Sequence, residues 1–175
     1  VSESKVLDYW AWAFSDIVGN TERGHLAEYL VSMAVRAESP VRNDWAAYDI
    51  DSPDGTKIEV KSSAYVQTWY QEKPSAIEFS IRKSKEWIPE TNEWCECIRR
   101  HSDVYVLCVV TPKQKHEVNT LDLDQWDFYV IPTPVVDREF GDTKKIGLNR
   151  VREHSEAYHI RQLRKAVSMA SGKHS

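Results

Sequence analysis

The sequence predicts an α/β domain with a mixed central β-sheet flanked by helices. Two N-terminal segments, VLDYWAWAFSDIV and ERGHLAEYLVSMAVRA, carry apolar residues at helical spacing. A hairpin-like segment, YDIDSPDGTKIEVKSS, alternates apolar and charged residues, and VYVLCVV is a continuous apolar run of the kind found in strands buried on both faces. Helices, a hairpin and a buried strand in this order are typical of an α/β domain.

The 175 residues are expected to form one domain, 1–175, because no repeat or low-complexity linker interrupts them. We expect N-terminal helices over about 3–37 and a charged hairpin over about 46–63. The remaining sheet and a C-terminal helix should occupy 76–170. In this last part, TNEWCECIRRH is expected to form a crossover helix and WDFYVIP a further strand.

Charge and composition narrow the function classes. The net charge is −4 and the isoelectric point is near 5.9, which counts against a protein that coats nucleic acid by charge alone but leaves room for a local basic cleft. No apolar run approaches the ~20 residues of a membrane span, and no signal peptide is recognisable. We therefore expect a cytoplasmic protein that does not bind membranes.

The three cysteines do not predict a disulfide framework, because their number is odd. Cys95, Cys97 and His101 form a C-x-C-x-x-x-H pattern, which is not a usual zinc spacing and has no obvious fourth ligand. Cys108 lies in the apolar run VYVLCVV and is expected to be a small buried side chain.

The charged hairpin is predicted to bring two acids face to face. Residues 53–55, Pro-Asp-Gly, match a three-residue loop made of a type I turn and a left-handed glycine, which pairs Asp49 with Glu59. Two bare carboxylates with Cβ atoms ~5 Å apart destabilise a strand pair, so we expect them to share a cation. Alternation assigns Tyr48, Ile50, Ile58 and Val60 to the core face, and Asp49, Asp51, Lys57, Glu59 and Lys61 to the other face.

Two facing acids and a lysine are suited to chemistry at a phosphate. Asp49, Glu59 and the backbone carbonyl of Val60 are the hard oxygen donors that Mg²⁺ uses together with several waters. The Lys61 ammonium could stabilise charge on a phosphate or orient a metal-bound water. The alternative is a hairpin with an ordinary solvated face, on which Lys57 and Lys61 neutralise the acids.

One further acid lies on the second helical segment. Apolar residues from Leu26 to Ala34 share one arc at about 100° per residue, and Glu28 projects at its edge. This carboxylate is either half-buried against the sheet or an ordinary glutamate at the boundary with solvent.

The pattern of Asp49, nine residues, and then Glu59-Val60-Lys61 resembles the core motif of the PD-(D/E)XK nuclease superfamily, which has the restriction-endonuclease-like fold. The segments NTERGHLAEYLV, EVKSSAYVQTW and LDLDQWDFYVIPT are similar to a bacterial branch of that superfamily. Tyr48 stands where the superfamily name has proline, and Asp51 is a second acid on the same face. The predicted register favours Asp49 as the first acid of the motif.

The resemblance implies Mg²⁺-dependent hydrolysis of a phosphodiester, with Mn²⁺ able to substitute. Asp49 and Glu59 would hold the metal with the Val60 carbonyl, and Lys61 would position or activate the water. Glu28 would hold a second metal ion or a water of the first. Gln67 would orient Lys61 or the scissile phosphate; the alternative is a solvated glutamine at a strand end.

The implied protein is a DNA endonuclease of restriction, repair or phage-defence type, with DNA favoured over RNA. A homodimer is expected because many such nucleases cut both strands as dimers. The competing interpretations are a catalytically inactive module of the same fold that binds nucleic acid or protein, and a subunit of a larger complex. The subunit would use the aromatic residues Trp10, Trp12, Trp69 and Tyr70.

Overall fold

The computed structural model describes residues 5–38 and 41–173. The helices are α1 (Val6–Phe14), α2 (Asn20–Val35), α3 (Thr133–Phe140), α4 (Leu148–Arg152) and α5 (Ile160–Ser171). The strands are β1 (Ile50–Asp51), β2 (Lys57–Ala64), β3 (Glu78–Ser80), β4 (Trp87–Ile88), β5 (Glu93–Trp94), β6 (Val104–Val110), β7 (Trp126–Pro132) and β8 (Lys145–Gly147). The N-terminal helices were predicted over about 3–37, of which positions 3 and 4 lie outside the described residues.

Four strands form a mixed sheet in the order β1-β2-β6-β7. β1 pairs with β2 in antiparallel orientation, β2 with β6 in parallel, and β6 with β7 in antiparallel. Two small antiparallel pairs, β3 with β8 and β4 with β5, lie outside this sheet. The predicted α/β class with a mixed central sheet is confirmed.

Both faces of the sheet are covered, because β6 is buried along its whole length. Its even-numbered residues from Val104 to Val110 pack in one core with α2 and α5. Its odd-numbered residues pack in a second core that also holds residues of β3, β8, α3 and α4. The prediction of a strand buried on both faces is confirmed, and Cys108 is fully buried.

The hairpin has the predicted loop. Gly55 adopts the left-handed conformation, with φ 74°, and its N–H donates to the Ser52 carbonyl at 2.8 Å. The ladder pairs Ile50 with Ile58, as predicted, but it ends at Ile50, so the expected ladder pair between the two acids is absent from the observed register. β1 is thus shorter than predicted.

The prediction that Tyr48 faces the core is wrong. Its hydroxyl donates to Asp51 at 3.1 Å, and the Lys57 ammonium lies 4.9 Å from its ring centroid. The Asp49 N–H donates to the Ile58 carbonyl at 3.0 Å, one residue out of step with the ladder. An extra residue of this kind, as in a β-bulge, ends the alternation of faces.

The predicted crossover helix at TNEWCECIRRH is also wrong. This segment forms the returning half of a hairpin, in which Trp87 of β4 faces Trp94 of β5 and Ser84 bridges to Arg99. Cys95 and Cys97 form a disulfide, which the odd cysteine count did not lead us to expect. The parallel connection from β2 to β6 therefore passes through β3 and the β4–β5 hairpin.

No helix in the described ranges is both long and apolar enough to cross a membrane.

Candidate active site

Asp49, Glu59 and Lys61 meet at the edge of the sheet where β1 begins. The Lys61 ammonium lies 2.5 Å from the nearer Glu59 oxygen and 3.7 Å from Oδ2 of Asp49. The three side chains are partly exposed, at 18% for Asp49, 21% for Glu59 and 32% for Lys61, so a ligand from solvent can reach them. We call these three residues the acid–lysine cluster.

The strand period positions two members of the cluster. Glu59 and Lys61 are two residues apart on β2 and therefore project from the same face. Ile58 and Val60 project from the other face into the core that contains α2. A shift of β2 by one residue would bury both charges, so core packing fixes their direction.

Asp49 is held by the backbone of β2. Its Oδ2 accepts a hydrogen bond of 2.7 Å from the Val60 N–H. β1 begins only at Ile50, so the side chain of Asp49 meets a backbone donor that a longer β1 would have paired. Since the N–H and C=O of one strand residue point to the same side, the Val60 carbonyl faces this same edge.

The cluster contains more negative than positive charge, and its pKa values reflect this. Burial lowers the pKa of Lys61, but the neighbouring Asp49 and Glu59 carboxylates outweigh burial and raise it above its usual value. Burial raises the pKa of Glu59; the Lys61 ammonium opposes this shift, while the charges of Asp49 and Glu28 add to it. A cation brought to this site would relieve the repulsion among the carboxylates.

Glu28 lies on α2 with its side chain 15% exposed, so it is half-buried, as one of the two sequence interpretations had it. Both of its oxygens bond to the guanidinium of Arg42, with Oε1 3.2 Å from Nη2. Its charge acts on both Glu59 and Lys61. Glu28 therefore borders the acid–lysine cluster. Through its ion pair with Arg42, it also anchors the segment that leads from Arg42 to Asp49.

Gln67 lies three residues beyond β2 and is buried. Its Nε2 donates to the Ala64 carbonyl at 2.9 Å, and its N–H donates to Gln71. Its Oε1 has no hydrogen-bond partner among the described residues. These bonds are local, so a role in orienting Lys61 remains a prediction.

The other charged residues of the hairpin lie outside the cluster. Asp51 accepts the Tyr48 hydroxyl, and Lys57 lies over the Tyr48 ring. The structure thus brings Asp49 to Lys61, in line with the choice of Asp49 from the predicted register. Of the two lysines proposed to neutralise the acids, it is Lys61 that lies within 4 Å of Asp49 and Glu59.

Sequence analysis missed a cleft beside the cluster. A cavity of about 270 Å³ is lined by Asp49, Glu59 and three tryptophans, Trp45, Trp87 and Trp94. We call it the tryptophan cleft. The segment WIPETNEW carries the signal for it, because a proline and an asparagine between paired aromatic residues favour a hairpin over a helix.

The donor chemistry of the acid–lysine cluster fits Mg²⁺. Two carboxylates and one carbonyl are what this ion uses when it keeps several waters. Across residues 5–38 and 41–173, no group of three or more His, Cys, Asp or Glu side chains is arranged to hold a metal, so the carbonyl and water would have to complete the set. Cys95 and Cys97 are bonded to each other, which removes them as ligands.

No protein-family model matches the chain, and no curated protein matches it.

Proposed function

We propose that this protein is a Mg²⁺-dependent nuclease that hydrolyses phosphodiester bonds, with DNA favoured over RNA. The observation that carries the proposal is the convergence of Asp49 and Glu59 on the Lys61 ammonium, beside the Val60 carbonyl. Hard oxygen donors and a mobile cation at one solvent-accessible edge are the groups that phosphoryl chemistry requires.

Each residue of the cluster has a distinct task in this proposal. Asp49, Glu59 and the Val60 carbonyl would hold Mg²⁺, which when bound polarises the phosphate and lowers the pKa of water. The Val60 N–H fixes one oxygen of Asp49 and so sets the direction of this carboxylate before any ligand binds. Lys61 can turn from Glu59 to a phosphate oxygen, or orient the attacking water, because its side chain is unbranched and partly exposed.

Two further residues carry proposed supporting tasks. Glu28 would hold a water of the metal or a second ion, after its oxygens separate from Arg42. The buried Oε1 of Gln67 has no hydrogen-bond partner within residues 5–38 and 41–173, so it could accept a bond from a neighbouring group and orient it.

The finer fold assignment belongs to the same proposal. Two features support a restriction-endonuclease-like core. The mixed sheet has helices on both faces, and the acidic site lies where the short β1–β2 hairpin joins the sheet. We further propose a cytoplasmic enzyme of restriction, repair or phage-defence type, since its DNA substrate would be found there.

The direct test is cleavage of plasmid and linear DNA with Mg²⁺, with Mn²⁺ and with chelator. We expect Lys61→Ala, Glu59→Gln and Asp49→Asn each to lower the cleavage rate by about 10²- to 10⁴-fold, because each removes a group that acts on the reacting phosphate. Matched controls are Lys57→Ala and Asp51→Asn, which change a lysine of the same strand and an acid of the same hairpin outside the cluster. Cutting at the wild-type rate by the three cluster variants would refute these roles.

A second candidate is a module of the same fold that binds nucleic acid or protein without turnover. The hydrogen bond from Val60 to Asp49 and the ion pair from Lys61 to Glu59 favour it, because they satisfy these side chains without any metal. Tight, chelator-resistant binding of DNA with no cleavage of any DNA or RNA form would support this candidate over the nuclease.

We also propose a homodimer formed through α1. No residue of α1 is buried by the described chain, although the helix carries Leu7, Trp10 and Trp12 at 65%, 52% and 84% exposure. Exposed apolar side chains grouped on one short helix are typical of an interaction surface. Trp69 and Tyr70, the other aromatic residues proposed for a subunit role, are exposed as well.

A further inference from the structure

The tryptophan cleft presents aromatic rings to solvent. Trp45 is 69% exposed and Trp94 is 54% exposed, while Trp87 is half-buried between them. The centroid of the Trp87 ring lies 6.2 Å from that of Trp45 and 5.3 Å from that of Trp94. The rings meet at 49° and 68°, so they are not stacked face to face, and the exposed parts of Trp45 and Trp94 are open to a ligand.

Two separate constraints hold these rings in place. Trp87 and Trp94 are cross-strand partners in the β4–β5 hairpin, an arrangement that stabilises aromatic pairs. Trp45 is placed by the segment that Arg42 ties to Glu28, and its N–H donates to Asn43 Oδ1 at 3.0 Å. A cleft that is ordered before binding loses little entropy when a ligand enters.

The lining of the cleft combines two kinds of chemistry. Carboxylates of Asp44, Asp49 and Glu59 line it together with the three tryptophans. Carboxylates repel a phosphate unless a cation is present, whereas aromatic rings bind flat, uncharged ring systems. A nucleotide would therefore place its base on the tryptophans and its phosphate at the acid–lysine cluster, where the Lys61 ammonium lies.

The size of the cleft favours one base over a duplex. Its volume of about 270 Å³ lies just below the range of about 300–1,000 Å³ that is usual for small-molecule sites. In a duplex both faces of each base are covered by neighbouring bases, so stacking on tryptophan requires an unpaired or flipped base.

We propose that the tryptophan cleft binds an unpaired nucleobase next to the scissile phosphate, so that the preferred substrate is single-stranded or locally opened nucleic acid. This inference rests on the proposed nuclease function of the acid–lysine cluster and specifies the substrate class of that function. Base stacking is common to DNA and RNA, so the sugar is decided by the test.

The test measures binding without cleavage. Labelled single-stranded oligonucleotides and duplexes of the same sequence, in DNA and RNA form, are titrated with the whole chain with Ca²⁺ in place of Mg²⁺, and fluorescence polarisation and tryptophan quenching are recorded. We expect tighter binding of the single strands, with quenching. Trp94→Ala and Trp45→Ala should each weaken single-strand binding by about 5- to 150-fold, and Trp94→Phe should restore most of the affinity because it keeps a ring.

The control is Trp69→Ala, which removes an exposed tryptophan outside both the cleft and α1 and should leave single-strand affinity unchanged. Equal binding of duplex and single strand, or equal effects of Trp94→Ala and Trp69→Ala, would overturn the inference. The two proposals fail separately. If the wild-type chain cuts DNA and Trp94→Ala cuts single strands as fast, the nuclease proposal stands and the base site does not. If single strands bind more tightly through the tryptophans but no condition gives cleavage, the base site stands and the nuclease proposal fails.

Discussion

At the scale of single residues, the site is defined by an excess of carboxylates around one ammonium group. Asp49 and Glu59 both lie within 4 Å of Lys61, the charge of Glu28 also acts on Lys61, and Arg42 forms an ion pair with Glu28. Burial raises the pKa of Glu59, and the charges of Asp49 and Glu28 add to this shift. The neighbouring carboxylates raise the pKa of Lys61 against the effect of burial. In the proposed nuclease, this excess of carboxylates would attract a divalent cation.

Mg²⁺ binding should therefore depend on pH through Glu59. The pKa of Glu59 is raised in the folded chain, so the folded chain keeps this proton to a higher pH than the unfolded chain. Without metal, the contribution of Glu59 to the free energy of unfolding therefore falls as the pH rises from the unfolded-state pKa through the folded-state pKa. A metal needs the ionised form, so its affinity should grow over that same window. At ten times the dissociation constant, Mg²⁺ should add about 1.4 kcal/mol, or roughly 3–6 °C in Tm.

Thermal unfolding with and without Mg²⁺, repeated from acidic to neutral pH, measures this effect. Glu59→Gln should abolish the pH-dependent part of the Tm shift, while Asp51→Asn should retain it. A Tm shift of the same size in wild type and in Glu59→Gln would contradict a metal site at Glu59.

The proximity of Glu59 and Lys61 was predictable because a strand places residues i and i+2 on one face, while their role in a site stays a prediction. Glu59 and Lys61 follow from that period alone, and the turn at 53–55 brought Asp49 near them. The hydrogen bond from Val60 to Asp49 was not predictable, because it depends on where β1 ends. Tyr48 was placed in the core for the same reason, since an extra residue in the strand leaves no clear trace in an apolar–polar pattern.

At the scale of elements, local turn chemistry decided which predictions succeeded. The hairpin loop at 53–55 has residues that specify its geometry, so the Ile50–Ile58 pairing followed. The β4–β5 hairpin has a weaker signal, with Asn92 at φ 58° as its left-handed residue. Its aromatic pairing and disulfide are formed by residues that a helical pattern also accommodates, and so it was mistaken for a helix.

One buried arginine joins several of these elements. The Arg100 side chain is fully buried, and it donates to the Ile81 and Gly141 carbonyls, each at 2.9 Å, and to Asp137 of α3. We expect Arg100→Met to lower the free energy of unfolding by about 2–3 kcal/mol, because it leaves two carbonyls without their donor. Urea unfolding measures the loss. Arg99→Ala is the matched control: this neighbouring side chain is 63% exposed, and its change should stay within about 1 kcal/mol. Equal losses would show that Arg100 has no special role.

At the scale of the whole molecule, the continuous apolar sequence of β6 predicted a strand buried on both faces. Such a strand needs helices or other elements on each side of its sheet, so the sheet and its covering layers could be predicted together. What covers each apolar helix face could not be predicted. The apolar spacing of α1 is as regular as that of a packed helix, yet none of its residues is buried by the described chain. Amphipathic spacing indicates that the apolar face of a helix is more stable when it is buried. It does not indicate whether the same chain or a second chain buries that face.

Replacing apolar residues of α1 should separate folding from association. We expect Leu7→Ser with Trp10→Ser to change the free energy of unfolding of the monomer by less than about 1 kcal/mol, because neither side chain is buried. Sedimentation velocity over a range of concentrations should show a dimer for the wild type and a monomer for the variant. Met169→Ser on α5, which is also exposed, is the control and should keep the dimer. Identical sedimentation of all three would exclude α1 as the interface.

The contact between Lys61 and Glu59 means that a side chain of the protein itself neutralises part of the negative charge of the site. Folding can proceed before any metal arrives, and a chelator should leave the folded chain intact rather than melt it. In the proposed nuclease, a divalent ion that enters the site would take the place of the Lys61 ammonium beside Glu59. The ammonium would then be free to contact a phosphate oxygen, so metal binding and substrate binding would be coupled through Lys61.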